Sequence, residues 1–240
     1  MCLNATVAMG ARIGEYRKWG SMQLRPLRLA HKWTLSGDLC IPETLIRGFI
    51  RPAVCAVPSA MAHRLGPSRI SLVAQAEPGV TSMWTTSTGT LEVSVTTGES
   101  EEHDIAMELL VCLGQALWER LSLSEMQAYW MILQDEIASG VEGEIDEQAL
   151  DAKLSLFGSA RQTSSARQLE RYGIASFAGT AAEYVHCLWH DVSIRVGKEY
   201  LPPEPLRRRL ELLARWFPPD RGHRLFPRVQ RHSRVHPSRA

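Results

Sequence analysis

Glu102–Leu121 reads EHDIAMELLVCLGQALWERL, and its periodicity decides the class of this chain. On a wheel of about 100° per residue, Ile105, Leu109, Leu110, Leu113, Ala116 and Leu117 cover one broad side. Met107, Gly114 and Trp118 extend that apolar surface. Asp104, Glu108, Gln115 and Glu119 collect in a single stripe about 60° wide, with Cys112 at its edge. A helix apolar almost all round is buried in its domain. The stripe therefore has to find water, a cleft or basic partners, because an unsatisfied buried polar group costs about 1–3 kcal/mol. Two readings of it stand side by side: a cleft floor, or a structural set of ion pairs with arginines of the last helix.

Working outward, the residues before this helix carry the β signals. Ile70–Ala74 and Ser82–Thr86 are short apolar or β-rich runs, and Thr90–Thr97 (TLEVSVTT) alternates with β-branched residues. Ser87-Thr88-Gly89 between the last two reads as a hairpin turn. Further upstream, Pro42–Ile50 reads as helix, followed by a stretch punctuated by Pro52, Pro58 and Pro67, with a short helix over Pro58–Leu65 ended by Gly66-Pro67. After the central helix everything reads as helix: Ser124–Ser139, Asp146–Phe157, Ser164–Tyr172, Ser176–Asp191 and Pro205–Trp216. Strands first and helices afterwards give an α+β class, a small antiparallel sheet followed by a helical bundle. Trp33, Trp84, Trp118, Trp130, Trp189 and Trp216 are spread through these elements, as core packing requires.

Bulk properties bound the function. The 240 residues suit one sizeable core, and 45% hydrophobic with 22% charged residues is an ordinary globular balance. A net charge of +1 supplies no global field for nucleic acid or a membrane. The five cysteines (Cys2, Cys40, Cys55, Cys112, Cys187) form no CxxC pair, which argues against a disulfide framework and a zinc knuckle. No apolar run reaches the roughly 18 residues of a membrane span, and Ala5–Met9 is too short for a signal peptide. A cytoplasmic location is expected. Residues 1–21 form an N-terminal extension without clear period, Met22 is an alternative start, and 22–217 form the domain. In 218–240, Arg221, Arg224, Arg228, Arg231, Arg234 and Arg239 face only Asp220. That composition reads as a disordered, solvated tail, with nucleic-acid contact as the alternative.

Leu110–Leu121, LVCLGQALWERL, resembles the active-site helix of zincin-type metallopeptidases in the form HExGH. In that family two histidines one turn apart bind zinc, an intervening glutamate activates water, and an edge strand of the preceding sheet binds substrate. The resemblance puts Val111 and Gln115 at the histidines and Cys112 at the glutamate, with Gly114 at a conserved-size small position. Tyr172–Val185, YGIASFAGTAAEYV, is similar to a segment of the zincin domain of anthrax lethal factor. It puts Tyr172 at a catalytic tyrosine, Gly179 at the ligand glutamate and Glu183 at a supporting carboxylate. None of the expected ligands remains. The resemblance thus implies a zincin-like domain without its zinc site and with no cofactor, a non-catalytic module for an extended peptide or protein, with Cys112, Gln115, Gly179 and Glu183 lining its cleft.

One constellation supports a different reading. Gly179, Glu183, His186 and His190 share a helix face, and His186 and His190 are one turn apart, at metal-ligand spacing. A metal-dependent hydrolase would use Glu183, His186 and His190 on zinc, with Glu108 and Tyr172 as catalytic candidates. His103-Asp104 is a further proton-transfer candidate, against a simpler role for Asp104 at the positive end of the helix dipole.

Overall fold

A computed structural model describes residues 25–37, 41–74, 82–98, 100–157, 166–190 and 197–226. The architecture is α+β. Strands β1 (Leu27–Arg28), β2 (Thr34–Gly37), β3 (Ser68–Val73), β4 (Ser82–Ser87) and β5 (Thr90–Thr96) form one sheet in the order β1-β2-β3-β5-β4. The expected antiparallel sheet is corrected: β2, β3 and β5 run parallel, and only the outer strands β1 and β4 are antiparallel to their neighbours. Parallel pairing needs a long crossover. The helical segment between β2 and β3 supplies it.

That crossover starts with α1 (Glu43–Leu45), passes through a π-helical stretch Ile46–Ile50, and continues as α2 (Arg51–Ala56). Helix thus runs past the expected end at Ile50. Pro52 directly follows the π-helical stretch, where the regular i→i−4 ladder is already interrupted and its ring and missing N–H are accommodated. A bend then leads to α3 (Ser59–Leu65), which Gly66 closes at φ 74°. Leu35, Ile70, Val93 and Trp84 are register partners in sequence across the sheet, so they form an apolar row on one face. The opposite face is polar, carrying Ser71, Ser94 and the Arg69–Glu92 pair at 3.5 Å. The β4–β5 hairpin turns on Thr88 (φ 49°) and Gly89 (φ 76°), both left-handed, as a two-residue turn requires.

Against the apolar face lies α4 (Glu102–Trp118), the expected central helix, with Ile105, Leu109, Leu113, Ala116 and Leu117 buried. It is followed by α5 (Leu123–Ala138), α6 (Glu147–Phe157), α7 (Ala166–Trp189) and α8 (Pro203–Trp216). Ser122 and Glu125 close a capping box at the start of α5. The two helices expected on either side of Gly173 are one helix, α7. Gly173 is retained there because a side chain would meet Trp130, whose Cζ2 lies 2.5 Å from the Cβ position.

Helices α4 and α7 run in opposite directions: His103 meets His186 at one end, and Trp118 stacks near Phe177 at the other. They cross where Gly114 lies against Ala178, with only 2.7 Å between a Cβ at Gly114 and the Ala178 carbonyl oxygen. The expected disordered tail is corrected in its first part. Asp220 accepts hydrogen bonds from the Ser59 amide (3.0 Å) and hydroxyl (2.7 Å), and Leu225 is buried. The rest of that tail and the N-terminal extension lie outside the described residues. No single helix among the described residues is long and apolar enough to cross a membrane.

Candidate functional site

The polar stripe of α4 faces the outer strand of the sheet. Ser82 Oγ donates to Glu108 Oε2 at 2.6 Å, and Trp84 Nε1 donates to Gln115 Oε1 at 3.0 Å. These two side-chain hydrogen bonds tie β4 down onto the helix. Asp104 and Glu119 at the stripe's ends are exposed. The ion pairs with arginines of α8 that one reading required do not involve Glu108 or Gln115 in these contacts. Cys112 is buried beside Ser82 and Glu108. Burial chiefly, with the charge of Glu108, pushes its thiol up to about 11. It is therefore a protonated thiol at neutral pH and a poor nucleophile or metal ligand.

The residues at the positions that resemblance assigns to zinc do not fit one. Val111 has no donor, and the Gln115 amide oxygen is engaged by Trp84. Gly179 is filled from outside: a Cβ there would stand 2.2 Å from Asp146 Oδ2 and 2.4 Å from Ile145 Cγ2. No side chain fits at Gly179 while that loop is in place. Asp146 is itself perturbed. Burial raises its pKa, helped by the charges of Glu144 and Glu108, while N–H groups of Ala149 and Gln148 oppose the shift. Glu108, Cys112, Asp146 and Gly179 are thus brought into one neighbourhood, a polar seam with half-buried carboxylates and without the histidine and glutamate ligands of the implied metal.

Tyr172, a catalytic candidate by the same resemblance, lies in the core. It is 0% exposed and donates its hydroxyl proton to Glu144 Oε1. Burial pushes that phenol far up, and the Glu144 charge adds to the shift. Around it lies a network that no sequence motif announced. Arg209, 0% exposed, donates to both carboxylate oxygens of Glu136, to Glu144 Oε2 at 2.8 Å and Oε1 at 2.9 Å, and to Ser176 Oγ at 2.8 Å. Lys153 Nζ donates to the Gly143 carbonyl at 3.0 Å and lies 3.4 Å from Glu144. Tyr129 shares hydroxyl contacts with Ser176 and Thr180. Two cations and two carboxylates cancel, which is how such charges survive burial. The signal was Arg209's place on the Leu206, Leu210, Leu213 face of α8.

A second polar cluster sits where α4 begins and α7 ends. His103 Nε2 and His186 Nε2 are 3.1 Å apart. Ring centroids of His103, His186 and His190 are separated by 5.0, 5.3 and 5.9 Å. Glu183 Oε2 stands 3.4 Å from His186 Nδ1, an atom that is buried and lacks an aligned hydrogen bond. The expected Glu183, His186 and His190 are therefore together, and the fold adds His103, which sequence spacing could not place. Phe49 packs edge-on against His103 and Trp189.

No protein-family model matches the chain, and neither a curated protein nor a solved structure does.

Proposed function

We propose that this chain is a zincin-like domain without the standard zinc site, and that it binds an extended peptide or protein segment by strand addition to β4. The observation that carries this reading is the character of β4 as the outer strand of the sheet. Its sequence, SMWTTS, has neither charge nor proline, the usual devices that protect an edge from pairing. Ser87 and Thr90 flank a two-residue turn and so form a hydrogen-bonded pair. By alternation, Met83 and Thr85 bond inward to β5, while Ser82, Trp84 and Thr86 direct their N–H and C=O groups outward. A partner strand would take those groups and set alternate side chains over the α4 stripe.

Selection of phage-displayed heptapeptides, followed by NMR of the labelled chain with the synthesised winners, tests the reading. Enriched peptides are expected to shift the amides of Ser82, Trp84 and Thr86. Thr86→Pro removes one outward N–H without touching the β5 ladder, and binding should fall about tenfold, the equivalent of one lost hydrogen bond of roughly 1.4 kcal/mol. Failure to enrich any peptide, or equal binding to Thr86→Pro, refutes it.

A further inference from the structure

We infer that His103, His186 and His190 form a binding site for one divalent transition-metal ion that favours imidazole, Zn²⁺ foremost, with Glu183 as the carboxylate that orients His186. This site is separate from the positions that resemblance assigned to zinc, and it stands independently of peptide binding at β4.

Imidazoles bound at about 2.0–2.1 Å to one tetrahedral ion have ligand nitrogens roughly 3.4 Å apart and ring centroids roughly 5 Å apart. The two Nε2 atoms here are 3.1 Å apart, and the three centroid separations are 5.0, 5.3 and 5.9 Å. In the metal-free state the facing Nε2 atoms of His103 and His186 are compatible only if one carries a proton and the other does not. An ion accepts both lone pairs at once and removes that constraint. Among the described residues no three donors already surround one point, and binding of an ion requires the His190 ring, stacked on His186 at 16° between planes, to turn its lone pair toward the other two. His190 is exposed, and rotamer changes of exposed side chains are fast.

The surroundings have the parts a metal site needs. His186 is the fixed member, its side chain 9% exposed, and His103 at 32% opens the site to solvent. With Nε2 on a metal, His186 carries its proton on Nδ1, the atom facing Glu183 Oε2 at 3.4 Å. A carboxylate on the far nitrogen is the usual second partner of a metal-bound histidine and gives that buried nitrogen an acceptor. Phe49 and Trp189 wall the cluster with ring edges, at 6.4 Å from His103 to Phe49 and 5.8 Å from His186 to Trp189. Helix dipoles act in opposite senses: the start of α4 disfavours a cation, while the end of α7, which carries His186 and is followed directly by His190, favours it. The charges of Asp104 and Glu183 tip the balance toward cation binding.

The test is titration of the full, untagged chain with Co²⁺, read by the visible absorption of tetrahedral Co²⁺, and displacement by Zn²⁺. One saturable equivalent is expected, and Zn²⁺ should raise the melting temperature of the wild type. Because His186 is buried, the mutational arm uses the accessible residues. His103→Ala and His190→Ala should each lower affinity by tenfold or more, and Glu183→Gln by about tenfold, the usual effect of losing an orienting carboxylate. Unchanged metal-free melting temperatures show that these variants are folded. No saturable equivalent, or affinity unaltered in both histidine variants, overturns the inference. Neither result bears on peptide binding at β4.

Discussion

Arg209→Ala would strip the buried network of the cation that holds it together, and its cost can be bounded from the contacts. The guanidinium donates to Glu136, Glu144 and Ser176 with no exposed surface. Counting each charged hydrogen bond at about 1.5–3 kcal/mol would give a loss near the whole stability of a domain, about 5–15 kcal/mol. That sum is too large, because an orphaned carboxylate escapes by taking up a proton. The measured cost of leaving one buried charge unpaired, about 3–5 kcal/mol, is the better figure. For a chain of this size it corresponds to a fall in melting temperature of roughly 10 °C.

The same contacts set the pH dependence of stability. Burial alone would push Glu144 up, but the charge and hydrogen bond of Arg209, with Tyr172 and Lys153, hold it below the usual carboxylate range. A folded pKa below the unfolded value of about 4.3 stabilises the protein above that pH, and the gain is lost as pH falls through the folded value. Without Arg209, burial raises Glu144 instead, and the residue then costs stability at neutral pH and nothing in acid. The gap between wild type and Arg209→Ala, measured by urea unfolding, should be full at pH 7 and narrow below about pH 5. Adding Glu136→Leu to Arg209→Met leaves Glu144 with Lys153 as a neutral pair and should recover part of the loss. A cost under about 1 kcal/mol, or a gap that is the same at pH 4 and pH 7, refutes the account of the network.

Two further outcomes follow from packing and burial. Gly114→Ala gains about 1 kcal/mol of helix propensity but drives a Cβ to within 2.8 Å of Ala178 Cα, a backbone atom that cannot yield, so thermal unfolding should show a net loss of roughly 2 kcal/mol. Gly48→Ala, with nothing within 4 Å, is the control and should stabilise. Alkylation of the native chain followed by peptide mass mapping should modify exposed Cys55 and spare Cys112 and Cys187, whose thiols burial pushes up; labelling of Cys112 without denaturant would contradict its burial.

Much of the fold was legible because its signals are local. The apolar surface of Glu102–Trp118 and the turn at Thr88-Gly89 each depend on residues a turn or two apart. The parallel pairing of β3 with β5 was hidden, since alternation in SRISLV and TLEVSVT fixes which face is buried but not which way a neighbour runs. Strand β2 is only four residues long and has no alternating run to betray it. At the site, Glu183, His186 and His190 share a helix face and could be grouped from spacing alone. His103 could not, because it joins them across 83 positions of sequence. Arg209 was lost among three adjacent arginines, of which only the one in register with Leu206 and Leu213 turns inward. Tyr172 shows the opposite failure: a motif position suggested chemistry, whereas its partner Glu144 makes it part of the core.

The stripe on α4 gains its meaning from what it is bonded to. A helix that presented metal ligands would keep its polar face toward an open cavity. Here Glu108 and Gln115 spend their acceptors on Ser82 and Trp84, and the Asp146 loop fills the space over Gly179. The consequence for binding is favourable. Part of the cost of strand addition is the entropy of ordering the receiving edge. An edge already fixed by two side-chain hydrogen bonds and a tight hairpin has that ordering in place before the partner arrives. Loosening it by Gln115→Ala should therefore weaken peptide binding even though Gln115 lies beneath β4 and presents nothing to the outer edge, whereas an affinity indifferent to the brace would mean that the stripe serves the core alone.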